Sequence, residues 1–553
     1  MIAKIGWGAL IVATLYICYF SHLGAIGFVG PDEPRYAWIA RDMMETGDWV
    51  TPRLYGKPWF EKPPLLYWAA GLCFKWFGVS ETAARLPSAI SALMATLALA
   101  WLALRLYGAE TARWLLLLLP TTVGMIGFSH AAATDMPFSG MLTIAMVCAA
   151  VILGLTRDEN TPILPRTPWL AFILFGFFLG LAVLAKGPAA IILCGGAVFL
   201  WALFTKRGRD ALRLLHPLGI VAFCATALPW YIVCARRNPD FFRVFIIEHN
   251  FKRYLTPEFQ HIQPFWFYAP VLLVAFLPWT ALLIWFSVHG AIQLWRTRCA
   301  KESTWFPICW AVFCIVFFSV SQSKLPGYIL PALPAITLLI SHQYVSKAIV
   351  HRKSFRLLLV LASFLFLALL AIIVMTTPHV LRGHERASVV VATVFGLMGA
   401  ANLLLAFDGA SHKSFLRFSA PASVLPALLA VLLSKSFIER YFQWDPSGRT
   451  IARELQSKNI PTGDLAVGKL DRGRHYSLNF YLHEEIQDWN GESSDRQYVL
   501  TNTHTCRALD PVPLACEPLP FDETSTGAFL FHVVMRGSAR GADTDRRQVQ
   551  KKE

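Results

Sequence analysis

Two adjacent carboxylates stand in the segment GPDEPRYAWIA, residues 30–40, directly after the first long apolar run of the chain. Asp32 and Glu33 lie between two prolines and are followed by Arg35 and Tyr36. Acidic side chains at the end of a membrane-spanning segment are costly unless a site uses them. Neighbouring side chains of an extended segment point in opposite directions, so we expect one of the two acids to face a reaction. The segment predicts an active site at a membrane surface.

A third acid, Asp135, ends another apolar run and is followed at once by Met136 and Pro137. An aspartate with a proline close behind it is typical of a helix start, so one interpretation is that Asp135 caps the next helix. The other is that it belongs to the active site, because an acid in this position is costly without a function. The two roles are compatible, and we predict that Asp135 is catalytic together with Asp32 and Glu33.

Three lysines stand in proline- or glycine-containing segments beside apolar runs: Lys62 in PWFEKPPLLYW, Lys186 in LAKGP and Lys324 in SKLPGY. Each one alone would suit a lysine that extends its ammonium to the membrane surface. Together with Arg35 they indicate an anionic ligand such as a phosphate, which a lysine binds as a point charge. The predicted substrate-binding residues are Lys62, Arg35, Tyr36, Lys186, Lys324 and Tyr328.

The polar segment 235–264 contains His249 and His261, which with Glu61 could bind a divalent metal such as zinc. The spacing of these residues is not that of a standard zinc signature. The alternative is a hydrogen-bonded polar loop that covers the site. No cofactor is required by the sequence.

The composition indicates what must position these residues. The chain has 553 residues, of which 55% are hydrophobic and 15% charged, whereas a soluble domain has about 25% charged residues. Apolar stretches of membrane-spanning length recur, which predicts an α-helical polytopic membrane protein. The net charge of +15 comes from basic residues between the apolar runs. This pattern favours loops that follow the positive-inside rule over a nucleic-acid partner.

Alternating loop charge predicts the topology. With the N-terminus inside and the first apolar run retained as a span, every inner loop is basic. The acids and lysines named above then fall on the outer face, as a single site requires. The thirteen predicted spans are residues 5–27, 86–104, 114–131, 136–155, 168–185, 188–204, 214–234, 265–289, 305–320, 326–345, 356–376, 388–407 and 417–434.

The outer segment 28–80 contains two amphipathic stretches, near 34–46 and 63–77, which we interpret as helices that lie at the membrane surface. Their tryptophans and tyrosines suit the depth of the lipid headgroups. The alternative, a span at 63–78, would invert every later loop and is not compatible with the charge alternation.

The predicted domains are a transmembrane domain at 1–435 with outer loops 28–80 and 235–264, an outer α/β domain at 436–535, and a disordered tail at 536–553. In the α/β domain, 447–458 and HYSLNFYLH predict helices, and LAVGKL, QYVLTN and AFLFHVVM predict strands. Cys506 and Cys516 would form a disulfide in an oxidising compartment. The chain has no Walker A or Rossmann glycine motif, so nothing in it indicates direct use of ATP or a sugar nucleotide.

The acid pair after the first span, KPPLLYW, the D-M-P turn, AKGP, EHN and SKLPGYILPALP together resemble polyprenyl-phosphate-dependent glycosyltransferases of the GT-C fold. Within this class the chain is most similar to the 4-amino-4-deoxy-L-arabinose transferases of lipid A, and more distantly to the protein O-mannosyltransferases. The resemblance covers residues 1 to about 440. It implies that Asp32 is the essential carboxylate, Asp135 the second acid and Lys62 the phosphate-binding lysine. The family often has arginine where this chain has Glu33.

The resemblance further implies a substrate pair. A sugar on undecaprenyl phosphate would be the donor and a lipid A phosphate the acceptor, with inversion at the anomeric carbon. The enzyme would act as a monomer at the periplasmic face of a bacterial inner membrane and would reduce the binding of polymyxin and other cationic peptides.

Two alternatives remain. A related transferase could act on protein Ser or Thr, or on another envelope glycan. A transporter would place its charged residues near the membrane midplane and often has repeated halves. Neither feature is visible in the sequence.

Overall fold

The computed structural model describes residues 2–156, 169–252, 262–297, 301–347, 447–490, 496–505 and 515–534, together with positions 396, 424, 428, 432, 509 and 513. The helices of these residues are α1 (Ile2–Tyr19), α2 (Asp32–Thr46), α3 (Leu65–Phe77), α4 (Glu81–Tyr107), α5 (Ala109–Leu118), α6 (Val123–Ser129), α7 (Asp135–Ile152), α8 (Trp169–Lys186), α9 (Ala189–Thr205), α10 (Gly208–Ala211), α11 (Pro217–Arg237), α12 (Tyr268–Ala275), α13 (Thr280–Thr297), α14 (Glu302–Val320), α15 (Leu333–Lys347), α16 (Arg449–Ser457), α17 (Arg472–Leu482) and α18 (Glu523–Thr526).

A wide, π-type helix covers Phe242–Lys252, and short 3₁₀ helices cover Leu212–Leu215, Phe265–Phe267, Pro326–Ala332 and Thr462–Asp464. The strands are β1 (Arg53–Leu54), β2 (Lys57–Pro58), β3 (Leu465–Gly468), β4 (Gln487–Asp488), β5 (Tyr498–Thr501), β6 (Ala515–Leu519) and β7 (Phe529–Val534).

Six helices of the described residues are long and apolar enough to cross a membrane, and a seventh crossing results if the bent pair α5 and α6 counts as one. The six are α4, α7, α8, α11, α14 and the helix over Pro326–Ser346. This confirms a helical protein that crosses the membrane several times. The predicted spans 356–376, 388–407 and 417–434 lie outside the described residues, so the total of thirteen stays a prediction.

Two predicted spans are not single helices. The stretch 114–131 is divided between α5 and α6, which are bent by 62° relative to each other. The stretch 265–289 is divided between α12 and α13. Pro120 follows the end of α5 and Pro278 follows the end of α12. Because proline lacks an amide hydrogen and restricts the residue before it, both positions end a helix inside an apolar run.

Small residues let the helices of the bundle approach closely. A Cβ atom on Gly140 of α7 would lie 2.8 Å from the carbonyl oxygen of Ser91 on α4, and one on Gly176 of α8 would lie 2.0 Å from that of Gly219 on α11. Lipid is as apolar as the helix surfaces, so the hydrophobic effect does not drive membrane helices together. Close van der Waals packing of the helices stabilises the bundle instead. Close packing fixes α7 and α8, the helices that carry Asp135 and Lys186.

The chain divides into two compact units. The first contains Met1–Leu23, Met43–Pro52 and Pro58–Phe437; the second contains Gly24–Asp42, Arg53–Lys57 and Ile438–Glu553. The acid pair therefore belongs to the same unit as the C-terminal strands. Within this second unit the ring centroid of Phe28 lies 4.8 Å from that of Phe480, and the Phe28 amide donates to the Tyr481 hydroxyl at 3.1 Å.

The second unit contains a mixed five-stranded sheet in the order β4-β3-β5-β7-β6. β3 is parallel to β4 and β5, whereas β7 is antiparallel to β5 and β6. The predicted helices and strands at 447–458, LAVGKL, HYSLNFYLH, QYVLTN and AFLFHVVM correspond to α16, β3, α17, β5 and β7. Cys516 on β6 is disulfide-bonded. Cys506 and the predicted tail 536–553 lie outside the described residues.

Candidate active site

Asp32 and Glu33 form the first turn of α2, so the expectation of an extended acid pair was wrong. Pro34 suits this turn, because its fixed backbone angle is helical and its missing amide hydrogen is not needed there. Two carboxylates at a helix N-terminus are also stabilised by the helix dipole. Successive residues of a helix diverge by about 100° rather than pointing in opposite directions. The two acids nevertheless have different surroundings.

Asp32 is the accessible member of the pair. Its side chain is 50% exposed and accepts a hydrogen bond from the guanidinium of Arg35, three residues later. Arg35 is only 7% exposed, and its Nε donates to the Pro31 carbonyl at 2.8 Å. A buried guanidinium with two such contacts has a fixed orientation. Asp32 therefore presents a carboxylate with one fixed cationic neighbour to solvent or a ligand.

Glu33 and Tyr36 are buried. The Glu33 Oε2 atom accepts a hydrogen bond from the Val29 amide at 2.9 Å, which ties the incoming chain to the start of α2. This contact gives Glu33 a structural function in the turn. Its predicted catalytic role and the predicted substrate contact of Tyr36 stay predictions.

The surroundings of Arg35 include C-terminal residues that the sequence did not single out. The ring of Tyr476 on α17 lies under the guanidinium of Arg35, with 5.4 Å between the Arg35 Cζ and the ring centroid. The Tyr55 ring stacks beside Tyr476, and the Tyr55 hydroxyl accepts from Asn479 Nδ2 at 3.0 Å. Burial raises the pKa of the Tyr55 hydroxyl above its usual value. HYSLNFYLH predicts a helix, and nothing in it pointed to the acid segment.

In the first unit, Asp135 pairs with Lys186. Asp135 is the first residue of α7 and Lys186 the last of α8, and the Lys186 Nζ donates to Asp135 Oδ1 at 2.5 Å. The Lys186 ammonium also lies 4.4 Å from the ring centroid of Tyr328. The residue at the capping position of α7 is Thr134, whose side chain makes no capping hydrogen bond. The capping interpretation of Asp135 was therefore wrong, and its carboxylate pairs with a predicted substrate-binding lysine.

The segment 321–328 completes this group. A Cβ atom on Gly327 would lie 2.6 Å from Asp135 Oδ1, so only glycine fits beside the carboxylate. Lys324 is buried, and its ammonium donates to the Gln263 carbonyl at 2.9 Å and the Ser321 carbonyl at 2.6 Å. Burial lowers the pKa of this ammonium. The structure gives Lys324 a structural function, and its predicted contact with substrate stays a prediction.

Lys62 and Glu61 form an ion pair at 3.4 Å, and both side chains are largely buried, at 13% and 10% exposure. The predicted metal ligands are not brought together by any described contact. The His249 side chain and the whole of His261 lie outside the described residues. Among the residues that the structure does describe, no three histidine, cysteine or acidic residues could hold a metal ion together. The zinc hypothesis stays a prediction.

A cavity of about 740 Å³ in the first unit is not a candidate for the chemistry. It lies between α8, α9 and α11, and its lining consists of apolar side chains and glycines such as Phe175, Cys194 and Phe223. Among the described residues, no acid or cation lines this cavity. A cavity of this composition suits hydrocarbon rather than a reacting sugar or phosphate.

The structure thus describes two candidate groups, each within its own unit. The Asp32 group contains Asp32, Arg35 and Tyr476. The Asp135 group contains Asp135, Lys186 and Tyr328. Each has a carboxylate beside a cation that rests on a tyrosine ring, which suits recognition of charged groups on a sugar or a phosphate. That both groups take part in one reaction stays a prediction, because the loop charges of the sequence predict them on the same face of the membrane.

Known proteins resemble the chain along most of its length. The pattern of the family described as dolichyl-phosphate-mannose-protein mannosyltransferase matches residues 8–245. The undecaprenyl phosphate-alpha-4-amino-4-deoxy-L-arabinose arabinosyl transferase of Yersinia enterocolitica is 30% identical over 92% of this chain and 96% of its own. The protein with the same name from Erwinia tasmaniensis is 31% identical over 73% of both chains.

A solved structure shares the fold. The crystal structure of ArnT from Cupriavidus metallidurans bound to undecaprenyl phosphate has a TM-score of 0.75 to this chain, with 23% sequence identity. The similarity covers 95% of this chain and 98% of that protein, so it includes both units. The chain belongs to the undecaprenyl phosphate-alpha-4-amino-4-deoxy-L-arabinose arabinosyl transferase family and is a membrane glycosyltransferase that uses a lipid-linked sugar donor.

Proposed function

We propose that the chain transfers 4-amino-4-deoxy-L-arabinose from undecaprenyl phosphate to a phosphate group of lipid A. The observation that carries the proposal is the 30% identity over 92% of the chain to a protein named for this donor and sugar. The lipid A acceptor is implied by the resemblance of the sequence motifs. The carboxylate–cation pairs of the two groups support the proposal that the substrates are charged.

The proposed location is a bacterial inner membrane. Thirteen spans in a GT-C arrangement would place both groups and the C-terminal domain on the periplasmic side, as the loop charges predict. The domains would be 1–435 for the membrane and catalytic part and 436–535 for the α/β part. The donor keeps its isoprenoid tail in the bilayer, so its phosphate reaches the protein at the membrane surface.

The reaction is a direct displacement. An oxygen of the acceptor phosphate forms a bond to the anomeric carbon of the sugar, and the bond from that carbon to the undecaprenyl phosphate oxygen breaks. The electron pair leaves with the undecaprenyl phosphate, and the configuration is inverted. Lys62 would stabilise the negative charge that develops on the leaving phosphate.

The acceptor requires little base catalysis. A phosphate monoester has a second pKa near 6, so it is already a dianion at neutral pH. A carboxylate close to that dianion would repel it, whereas the sugar carries a cationic amine that a carboxylate attracts. Asp32 is half-exposed and therefore accessible for this contact. We infer that Asp32 binds the amine and orients the sugar, and that Asp135 fixes Lys186 for an anionic group.

A second candidate is transfer to protein Ser or Thr. The match of residues 8–245 to a protein mannosyltransferase family favours it, because this region contains Asp32, Lys62 and Asp135. A hydroxyl acceptor must lose a proton, so Asp32 would then act as a general base.

The deciding experiment expresses the chain in a bacterium that makes the undecaprenyl phosphate donor but lacks its own transferase. Mass spectrometry of lipid A should detect the addition of one aminopentose, and resistance to polymyxin should rise because a phosphate charge is masked. Unmodified lipid A with a new protein glycan would establish the second candidate instead.

The role of Asp32 is tested in the same cells. Asp32→Asn keeps the size of the side chain but removes its charge, and we expect transfer to fall at least about a hundredfold, the scale of one lost transition-state contact. Glu45→Gln is the matched control, because Glu45 is an exposed acid on the same helix. It should retain activity. Full modification by Asp32→Asn at equal protein abundance would remove Asp32 from the reaction.

A further inference from the structure

Arg35 contacts a tyrosine on a helix of its own unit that lies far away in the sequence. The Arg35 Cζ lies 5.4 Å from the ring centroid of Tyr476 on α17. This is within the distance at which a guanidinium is attracted to the face of an aromatic ring. Because Arg35 is 7% exposed, little water competes with the contact. The ring therefore attracts the guanidinium in addition to its hydrogen bonds with Pro31 and Asp32.

Tyr476 itself is held in place by neighbours in the same unit. Its ring lies 6.4 Å from that of Tyr55 with an angle of 21° between the planes. The Tyr55 hydroxyl accepts from Asn479 Nδ2 at 3.0 Å, while Asn479 Oδ1 accepts from the Ile486 amide at 3.1 Å. Asn479 is buried, so these hydrogen bonds are costly to break. The ring under Arg35 therefore stacks on a tyrosine that is hydrogen-bonded to a buried asparagine.

A second guanidinium uses the same ring. The Arg472 Cζ lies 5.5 Å from the Tyr476 centroid, and its Nη2 donates to the Tyr476 hydroxyl at 3.5 Å. Arg472 is exposed. The ring thus contacts both the buried Arg35 and an exposed residue of α17. A change at Tyr476 would remove the ring contact of both side chains, and of the two, Arg35 is hydrogen-bonded to an acid of the predicted site.

Arg35 is what limits the movement of Asp32. The hydrogen bond from Arg35 is the contact that the structure gives the Asp32 carboxylate, whose side chain is otherwise half-exposed. A catalytic or substrate-binding carboxylate needs support for its productive geometry. We propose that Tyr476 is a positioning residue of the glycosyl transfer, which holds Arg35 and through it Asp32. The inference rests on the proposed role of Asp32 and gives the C-terminal domain a function in the reaction.

The test compares purified variants with the lipid-linked aminosugar donor and lipid A. Tyr476→Leu removes the aromatic face, and we expect about a tenfold loss of kcat, the scale of one desolvated cation–π contact. The KM for the donor should rise by a smaller factor than kcat falls, because Lys62, which is predicted to bind the donor phosphate, is left in place. Tyr476→Phe keeps the ring and should restore kcat to about the wild-type value.

Two controls separate positioning from folding. Tyr498→Leu removes a ring from β5 of the same unit, beside His532, and should leave kcat unchanged. In an Arg35→Gln background, Tyr476→Leu should cause no further loss, because the residue through which it acts has been removed.

The outcomes are distinguishable. If wild-type protein adds no aminopentose to lipid A, the proposed function fails. If wild type is active but Tyr476→Leu is equally active, or if its loss is additive with Arg35→Gln, the positioning role alone is wrong. A loss in Tyr476→Phe as large as that in Tyr476→Leu would also overturn it, since the hydroxyl rather than the ring would then matter.

Discussion

The ion pair between Asp135 and Lys186 is the closest contact between opposite charges in the first unit's part of the site, with 2.5 Å between Nζ and Oδ1. The side chains are 19% and 12% exposed, so water screens the pair only in part. Removing one member would leave the other charge poorly solvated. Removing both replaces the pair with neutral groups and avoids this cost. The pair can therefore be examined through its coupling energy.

We expect Lys186→Met to lower stability by about 1–3 kcal/mol, because the Asp135 carboxylate is left without its cation. The double variant Asp135→Asn with Lys186→Met should be more stable than Lys186→Met alone. The thermal midpoints of the detergent-solubilised proteins would measure this order. Equal midpoints for all variants would mean that the pair contributes nothing to the fold. Transfer should be impaired in each variant, since both residues are predicted to serve the reaction.

Some of the site could be predicted at the level of single residues. Asp32 and Asp135 could be selected as candidates because acids beside apolar runs are costly, and their catalytic roles stay predictions. The lysine that pairs with Asp135 could not be selected, since Lys186 stands 51 positions later and two other lysines had equally suitable segments. The expectation of an extended conformation at Asp32 was wrong because a proline two residues later is compatible with the first turn of a helix as well as with an extended segment.

Among the elements, the 3₁₀ helix over Pro326–Ala332 fixes how closely a backbone approaches the Asp135 carboxylate. Gly327 lies within this helix, where an added Cβ would lie 2.6 Å from Asp135 Oδ1 and 2.8 Å from the ring of Phe128. Both distances are too short for carbon. Any larger residue must displace the carboxylate or the ring, and Lys186 depends on the position of the carboxylate.

Gly327→Ala should therefore lower both stability, by about 1–3 kcal/mol as for an overpacked core, and the rate of transfer. Gly127→Ala is the matched control, because an added Cβ on Gly127 of α6 meets no atom within 4 Å. The control should be as stable as wild type or slightly more stable, since alanine favours a helix. Thermal midpoints and the aminopentose content of lipid A measure the two effects. An active Gly327→Ala protein would show that the Asp135 carboxylate can move without harm.

Helices and strands could be predicted where the pattern was long or regular. The breaks at Pro120 and Pro278 were not predicted, because apolar content indicates how long a stretch is but not whether its helix is bent. β6 was not predicted because it contains Pro518, and a proline argues against a central strand. Among the strands that the structure describes, β6 pairs with β7 alone, so it is an edge of the sheet, where proline is tolerated.

The whole molecule is organised by the sign of its loop charges. Basic residues fall in alternate loops, so the loop 206–213 between α9 and α11 is predicted inside and the C-terminal domain outside. The division into two units could not be foreseen from composition, because the segment 24–42 is joined in sequence to α1 but belongs with the C-terminal strands. Hydropathy identifies what enters the membrane, but it does not say with which distant segment a polar loop will fold.

The predicted sidedness can be measured with single cysteines. Glu485→Cys introduces a thiol at an exposed position of the C-terminal domain, and Arg209→Cys introduces one at an exposed position of the predicted inner loop. The free native cysteines of the described residues are buried, apart from the half-buried Cys224, so wild-type protein gives the background. In cells with a permeabilised outer membrane, a membrane-impermeant maleimide should label Cys at 485 but not at 209. After lysis it should label both. Labelling of position 209 in intact inner membranes would invert the topology and place the predicted site in the compartment where the lipid-linked donor is made.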